Sequence, residues 1–271
     1  ALSEFVGWNT SYAIMALLMG VGVLGVLGAP REAQHEVRRI DADDIPKRPG
    51  QDGFEWAARL VLFVLGALVL GSGLAGNAAI LGCCDVVIAT RNSSIGMGGP
   101  AMIEGGNLGV FSPEEVGPMN VQVPNGVVDI AVEDEAEAVA VAKKYLSYFQ
   151  GALPEWRAAD QRLLRRAIPE NRLRVYDVRD VIATLCDEDS VLEVRRAFGP
   201  GMVTAFGRIE GKPLGIVANN PVHLAGAIDS DASDKAARFL QLCDAFDLPV
   251  LFLCDTPGMM VGPEVEKTAL V

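Results

Sequence analysis

The stretch "GSGLAGNAAILGCC" occupies residues 71–84 and follows eleven uncharged, mostly aliphatic residues, "LVLFVLGALVL" (60–70). Two interpretations fit this junction. In one, residues 60–81 form a membrane-spanning helix, since the uncharged run is long enough to cross a bilayer. In the other, the glycines form a loop that opens a helix, whose free N–H groups can stabilise a developing negative charge. Upstream residues favour the first interpretation and downstream residues favour the second.

The segment before residue 71 is strongly apolar. Residues 12–29 carry no charge, and the segment that separates them from residues 60–81 is rich in arginine, which the positive-inside rule places in the cytoplasm. We therefore expect residues 1–72 to form an apolar helical hairpin, with any membrane contact confined to residues 1–81. A pair of buried elements in a soluble core is the alternative.

Composition limits the function classes. The 271 residues carry a formal net charge of −12, so nucleic-acid binding through basic residues is not expected. The five cysteines show no C-x-x-C spacing, and the only histidines are His35 and His223, so no metal site is expected. The cysteines fit buried thiols of a reducing compartment. We expect His223 to be structural.

After residue 84 the pattern is typical of an α/β protein. The β-branched run 85–90 predicts a buried strand, and the six glycines of 91–109 predict a loop or several tight turns. Residues 133–149 predict a helix, with acidic residues in its first turn and lysines later. The residues predicted to form its inward stripe are Ala136, Val139, Leu146 and Phe149.

A second α/β unit follows from residue 201. Residues 202–221 predict a β-hairpin that turns at 210–211. Residues 229–249 predict a helix capped by Ser230 or Asp231.

Two nearly all-apolar runs in this unit, 214–219 and 250–255, predict adjacent parallel strands joined by that helix. Ligands gather at the carboxyl ends of such strands. The segments "ANNP" (218–221) and "DTPG" (255–258) fall there, which makes them candidate binding loops.

Six stretches downstream of residue 73 are recognisable together: "IGMGGPAMIEGG" (95–106), "EEVGPM" (114–119), "NGVVDIAVEDEAEAVAVAKKYLSYFQG" (125–151), "IPENRLRVYDVRDVI" (168–182), "FGRIEGKPLGIVANNP" (206–221) and the run from Gly226 to Val271. In this order they resemble the carboxyltransferase (β) subunit of biotin-dependent acyl-CoA carboxylases of the propionyl-CoA and acetyl-CoA type. The resemblance implies a crotonase-like α/β fold.

The same resemblance implies a domain plan with two partial domains. Residues 73–150 would be the later part of the N-terminal carboxyltransferase domain, 151–200 an inter-domain connection, and 201–271 the first part of the C-terminal domain. Residues 1–72 are foreign to the family and weakly resemble a major-facilitator-type permease. "GSGLAGNA" is also one residue shorter than the family's glycine loop, and the family's second oxyanion loop is absent, so we expect the chain to be incomplete and inactive alone.

The resemblance also implies the chemistry. A carboxyl group moves from carboxybiotin to the α-carbon of an acyl-CoA, and backbone N–H groups stabilise the thioester oxyanion. Gly76 and Asn77 would supply those N–H groups. The residues that would contact acyl-CoA or biotin, or else only hold local turns, are Gly98, Gly99, Asn219, Asn220 and Gly258. The arginines of 157–179 could meet CoA phosphates or form a solvated surface.

The implied cofactor is biotin on a carrier protein, with acyl-CoA as substrate. The implied partners are biotin carboxylase and the biotin carboxyl carrier, in a cytoplasmic homo-oligomer. Two alternatives stay open: a membrane transporter fragment, supported by residues 1–72, and a biotin-linked decarboxylase that uses the same fold.

Overall fold

The computed structural model describes residues 68–69, 72–74, 76–171 and 174–270. The apolar segment 12–29 lies outside these residues. Among the helices that are described, none combines the length and the apolar character needed to cross a bilayer.

The described part of the junction quoted first contains two short strands and a helix. Leu68–Val69 form strand β1, Ser72–Leu74 form β2, and Gly76–Gly82 form helix α1. The prediction that 60–81 is one continuous membrane helix is therefore wrong for its described part. The physical reason is strand pairing: β1 and β2 each hydrogen-bond to a later strand, which a membrane-spanning helix could not do.

Three short strands complete the first half of the fold. Their bounds are Ile88–Thr90 for β3, Ser94–Gly96 for β4 and Ile130–Val132 for β5. Strand β1 pairs with β3, β3 pairs with β5, and β2 pairs with β4, all in parallel.

The glycine-rich segment 91–109 is more regular than predicted. It contains β4 and helix α2 (Pro100–Gly105), and a one-turn helix α3 (Met119–Gln122) follows it. The Ile95 N–H donates to the Gly117 carbonyl at 2.8 Å, so β4 is held from both sides. The loop prediction failed because these contacts come from distant residues.

Helix α4 spans Glu135–Ser147, close to the predicted 133–149, but its buried face differs from the predicted stripe. Ala138 and Tyr145 are buried, whereas the predicted Ala136 and Val139 are exposed. The other two predicted positions, Leu146 and Phe149, are partly buried against the core.

The second half of the fold contains two short helices and four strands. Their bounds are Leu164–Ala167 for α5, Val178–Leu185 for α6, Leu192–Val194 for β6, Met202–Ile209 for β7, Lys212–Asn219 for β8 and Val250–Leu253 for β9.

The four strands form one sheet in the order β6-β7-β8-β9. The hairpin β7–β8 is antiparallel and β8–β9 is parallel, which confirms both sequence predictions.

Helix α7 (Ser230–Ala245) connects β8 to β9, as predicted, and the one-turn helix α8 (Pro263–Glu266) follows β9. The cap is Asp229, not Ser230 or Asp231. Its carboxylate accepts the Ala232 N–H at 2.9 Å, because Asp229 is the last residue with extended backbone before the helix.

One hydrophobic core contains residues from both halves. The rings of Tyr145, Tyr148 and Phe149 in and after α4 lie 4.9 to 5.8 Å from their aromatic neighbours around Phe206 of β7. Phe239 of α7 closes this cluster at 5.1 Å from Phe206. The core thus fixes α4 and α7 on the same strand.

Candidate functional site

The parallel pairing of β2 and β4 brings four of the predicted site residues to one place. Leu74 is opposite Gly96, so both strands end at the same edge. The chain runs on from β2 into α1, and from β4 into α2. We call the residues Gly76, Asn77, Gly98 and Gly99 at this point the glycine edge.

Gly76 and Asn77 are the first two residues of α1. N–H groups in the first turn of a helix have no acceptor within the helix, so they are free to bind an anionic oxygen. Gly76 is partly buried and Asn77 is exposed, while Ala78 and Leu81 anchor the helix in a separate small core. The geometry therefore presents backbone donors at the surface on a fixed helix.

Gly98 and Gly99 are not turn glycines with positive φ. Gly99 has φ −80° and is the N-cap of α2, and Gly98 is not among the positive-φ residues. Nearby Met97 and Met102 are 70% and 65% exposed, which gives this edge an apolar rim. Small residues with ordinary φ at a strand end leave room for a ligand to approach the backbone.

Gly117 is essential to this edge, and sequence reasoning did not single it out. Its φ is +64°, and a Cβ there would overlap the carbonyl group of Ile95. The Gln122 side chain donates to the same carbonyl oxygen at 2.5 Å. The signal was present in "EEVGPM", but only the position of β4 explains why a glycine is required.

The parallel pairing of β8 and β9 creates a second edge, which we call the asparagine edge: Asn219, Asn220 and Gly258. Both asparagines are buried. The Asn219 side-chain amide donates to Gly226 O at 3.3 Å, and Asn220 Oδ1 accepts the Val222 N–H at 3.3 Å. Their side chains therefore hold the loop after β8.

Gly258 joins that loop to the loop after β9. Its carbonyl accepts the Ile228 N–H at 3.0 Å, and its own N–H donates to Thr256 Oγ1 at 3.1 Å. Its φ of +131° favours glycine. The Asp255 carboxylate accepts the Tyr176 hydroxyl at 2.8 Å, and partial burial together with this contact raises the pKa of Tyr176 to about 12. The two predicted loops do meet.

The remaining predicted residues have structural environments. His223 Nε2 lies 3.4 Å from Asp229 Oδ2, beside the start of α7. Arg179 is held by Glu193 and Asp177, Arg157 is paired with Glu188, and Arg162 with Asp160. These three arginines are thus already neutralised by carboxylates.

A buried charged cluster links the two halves and was missed. Asp129, only 7% exposed, accepts the Arg195 Nε–H at 2.7 Å and the Val87 N–H at 2.7 Å. Burial raises the pKa of Asp129, against the opposing attraction of Arg195. Lys235 of α7 is 1% exposed and lines the same cavity. A single sequence cannot show that such residues are buried.

The sequence model of the carboxyl transferase domain matches residues 58–271. The chain belongs to the carboxyl transferase domain family. The match begins before residue 73, within the segment predicted to be foreign, and the permease resemblance of 1–72 gains no support from it.

Named relatives agree with this family. The chain is 34% identical over 200 residues to the beta4 subunit of a biotin-dependent long chain acyl-coenzyme A carboxylase of Mycobacterium tuberculosis, a match that covers 69% of this chain and 38% of the relative. The chain spans 38–42% of the length of three of the curated relatives it matches. Carboxylases and a carboxyltransferase stand among them, which does not favour the decarboxylase alternative.

Solved structures show the same fold. A single-chain, multi-domain long-chain acyl-CoA carboxylase matches at TM-score 0.74 and 53% identity, over 82% of this chain and 23% of its own. The transcarboxylase 12S hexamer with hydrolysed methylmalonyl-coenzyme A matches at TM-score 0.68 and 28% identity, over 82% of this chain and 48% of its own. The predicted crotonase-like carboxyltransferase fold is confirmed. The apolar hairpin predicted for residues 1–72 lies outside the described residues except at 68–69 and 72, which are in strands.

Proposed function

We propose that this chain forms the acyl-CoA side of a carboxyltransferase site, in which a carboxyl group moves from carboxybiotin to the α-carbon of an acyl-CoA. The observation that carries the proposal is the common edge of β2 and β4. There, the first turn of α1 lies beside Gly98 and Gly99, which directly precede α2, on a chain of the carboxyl transferase family.

In this proposal Gly76 and Asn77 donate their N–H groups to the thioester oxygen. Removal of the α-proton turns that oxygen into an enolate, and preorganised donors stabilise the charge as it develops. Gly98 and Gly99 let the acyl-CoA approach β4, and the exposed methionines of the rim cover the acyl chain. The four residues of the glycine edge supply no acid or base, which fits a reaction in which the co-substrate takes the α-proton.

In this proposal carboxybiotin is the co-substrate that supplies the carboxyl group. Asn219 and Asn220 are buried, and each uses one side-chain atom in the loop's own hydrogen bonds. Their role in the proposal is to hold the loop after β8. Gly258, whose carbonyl is bonded to Ile228, is assigned to the loop junction.

We also propose that the 271 residues act with a biotin carboxylase and a biotin carboxyl carrier in a cytoplasmic homo-oligomer, and that alone they bind acyl-CoA without transferring a carboxyl group. A transcarboxylase relative is a hexamer. The five cysteines are all free thiols, which fits a reducing compartment. Incubating the chain with free biotin, bicarbonate, ATP, an added biotin carboxylase and propionyl-CoA should give no carboxylated acyl-CoA, and robust product formation would overturn this part.

The acyl-CoA assignment can be tested by calorimetric titration of the whole chain with propionyl-CoA and palmitoyl-CoA. Gly76→Pro removes one N–H at the first position of a helix, where proline is well tolerated, so the fold should survive. We expect about tenfold weaker binding. Gly76→Ala keeps the N–H and is the matched control.

The outcomes separate the two parts of the proposal. If the wild-type chain binds neither acyl-CoA, the proposed function fails. If it binds and Gly76→Pro binds equally well, the oxyanion assignment fails. Comparison of the two acyl-CoAs shows which chain length the rim prefers.

A further inference from the structure

The segment 195–199, which we call the junction loop, connects β6 to β7 and is clamped to the first half of the fold. Arg195 donates to Asp129 twice, from its backbone N–H at 2.8 Å and from Nε at 2.7 Å. It adopts φ +53° to do so, an uncommon conformation for a residue other than glycine. The Phe198 ring packs closely on Gly126, since a Cβ added to Gly126 would come within 2.8 Å of that ring.

The same loop is clamped to helix α7 from the other side. Lys235 Nζ donates to the carbonyl oxygens of Phe198 at 2.9 Å and Gly199 at 3.5 Å. Gly199 has φ +51° and lies against the first turn of α7, where a Cβ would come within 2.8 Å of Asp231 O. That first turn directly follows Asp229, the end of the asparagine-edge loop.

A lysine is an unusual choice for this position. Lys235 is 1% exposed, and among the described residues its ammonium donates to the two carbonyls and to no carboxylate. Burying an ammonium group costs free energy unless hydrogen bonds within the protein offset that cost. A methionine would fill the same space without that cost, but it would leave the partly buried Phe198 carbonyl oxygen without this donor. The Gly199 carbonyl would keep the Met202 N–H, which it accepts at 3.0 Å. The ammonium of Lys235 therefore holds the junction loop through its hydrogen bonds to these carbonyls.

We propose that Lys235 is a positioning residue that, through the junction loop, holds the start of α7 and the asparagine-edge loop in fixed relation to Asp129 and the first sheet. The consequence for catalysis rests on the proposed function. The ammonium of Lys235 then keeps the glycine edge, where the thioester would bind, at a fixed distance from the loops of the second half. Lys235 acts on the reaction only through the loop.

Hydrogen exchange of backbone amides in the whole chain tests this. Lys235→Met should speed exchange roughly tenfold in 195–201 and also in both flanking segments, 126–129 and 229–232, because the loop connects them. The matched control is Lys144→Met, which also removes a lysine that donates to one carbonyl, Val191 O at 2.9 Å. It should leave the flanking segments unchanged.

A pH profile distinguishes positioning from simple packing. Burial lowers the pKa of Lys235 to about 8, with Glu193 opposing the shift and Arg179 and Arg195 adding to it; Asp85, Asp129 and Arg238 also line the cavity. Because the closed structure favours the neutral amine, an opening that exposes Lys235 becomes less favourable as the pH rises above about 8. Wild-type exchange in 195–201, corrected for the intrinsic rate, should therefore slow progressively between about pH 8 and pH 10, and this trend should be absent in Lys235→Met.

Two results would overturn the proposal: a change in Lys235→Met confined to 195–201, or a wild-type profile that stays flat above about pH 8. The second needs no variant, so a variant that fails to fold does not rescue the idea. None of these measurements contains acyl-CoA, so failure of the proposed function leaves them interpretable, and their failure leaves the acyl-CoA assignment standing.

Discussion

The glycine edge and the asparagine edge are both carboxyl ends of paired parallel strands, but their chemistry is opposite. At the first edge three of the four residues are glycines, and the proposed donors belong to the first turn of a helix. At the second edge the polar side chains are buried and bonded within their own loops. A strand end is thus ready for a ligand only where the loop does not satisfy its own polar groups.

The largest expected effect lies between the two edges, at Asp129. Asp129→Ala leaves the partly buried Arg195 without its partner, and breaking one side of a buried ion pair costs up to about 3–5 kcal/mol of unfolding free energy. Urea denaturation of the chain measures this. The control is Asp160→Ala, which removes an exposed partner of Arg162 and should change little. Equal losses in the two variants would mean that the junction does not connect the halves.

The next largest effect tests the rigidity of the asparagine edge. Gly226 has φ +84°, and a Cβ there would overlap the carbonyl oxygen of Asp255. Gly226→Ala should therefore lower the unfolding free energy by about 1–3 kcal/mol, seen as a lower melting temperature. An unchanged melting temperature would show that the two loops are not packed as described.

A smaller effect follows from Lys235. Its pKa in the fold, about 8, is below the ordinary value of 10.5. Between these values the unfolded chain binds more protons, so the contribution of Lys235 to the unfolding free energy rises with pH, by at most about 1.4 kcal/mol per pH unit. Denaturation of the wild type and Lys235→Met from about pH 8 to pH 10 should show a growing difference in favour of the wild type. A constant difference would contradict the lowered pKa.

The smallest effect on stability is expected at the glycine edge. Gly98 has ordinary φ, and a Cβ there would meet only the Met102 side chain at 3.6 Å. Gly98→Ala should change the unfolding free energy by no more than about 0.5 kcal/mol. It should nevertheless weaken acyl-CoA binding about tenfold in calorimetric titration, because the methyl group blocks the approach to the backbone. Full affinity in this variant would remove Gly98 from the cleft.

Long, strongly patterned elements were predictable from sequence. The hairpin β7–β8, helix α7 and the parallel pair β8–β9 follow from apolar runs bounded by turn residues and charges. The three-residue strands β2 and β4 were not predictable, because their stability comes from pairing with each other and not from local preference. The apolar character of 60–81 was read as a membrane span because buried strands and membrane helices share the same composition.

The candidate site divides in the same way. The sequence and its family resemblance supplied every glycine and asparagine of the two edges. It did not supply Gly117, whose necessity depends on the approach of β4, nor the burial of Asp129 and Lys235. The face of α4 was also misjudged, because the burial of Ala138 and Tyr145 depends on tertiary packing, in which the Tyr145 ring lies 5.3 Å from that of Phe206 in β7.

By itself, the sequence determined the family, the α/β class and the order of the long elements, because hydrophobic period, turn residues and extended motif runs are local properties of the chain. Tertiary structure alone decided which strand ends share an edge, which polar groups are left free there and which charges are buried. The reason is that burial, strand pairing and hydrogen-bond satisfaction join residues far apart in the chain, such as Asp129 with Arg195 and Phe198 with Lys235.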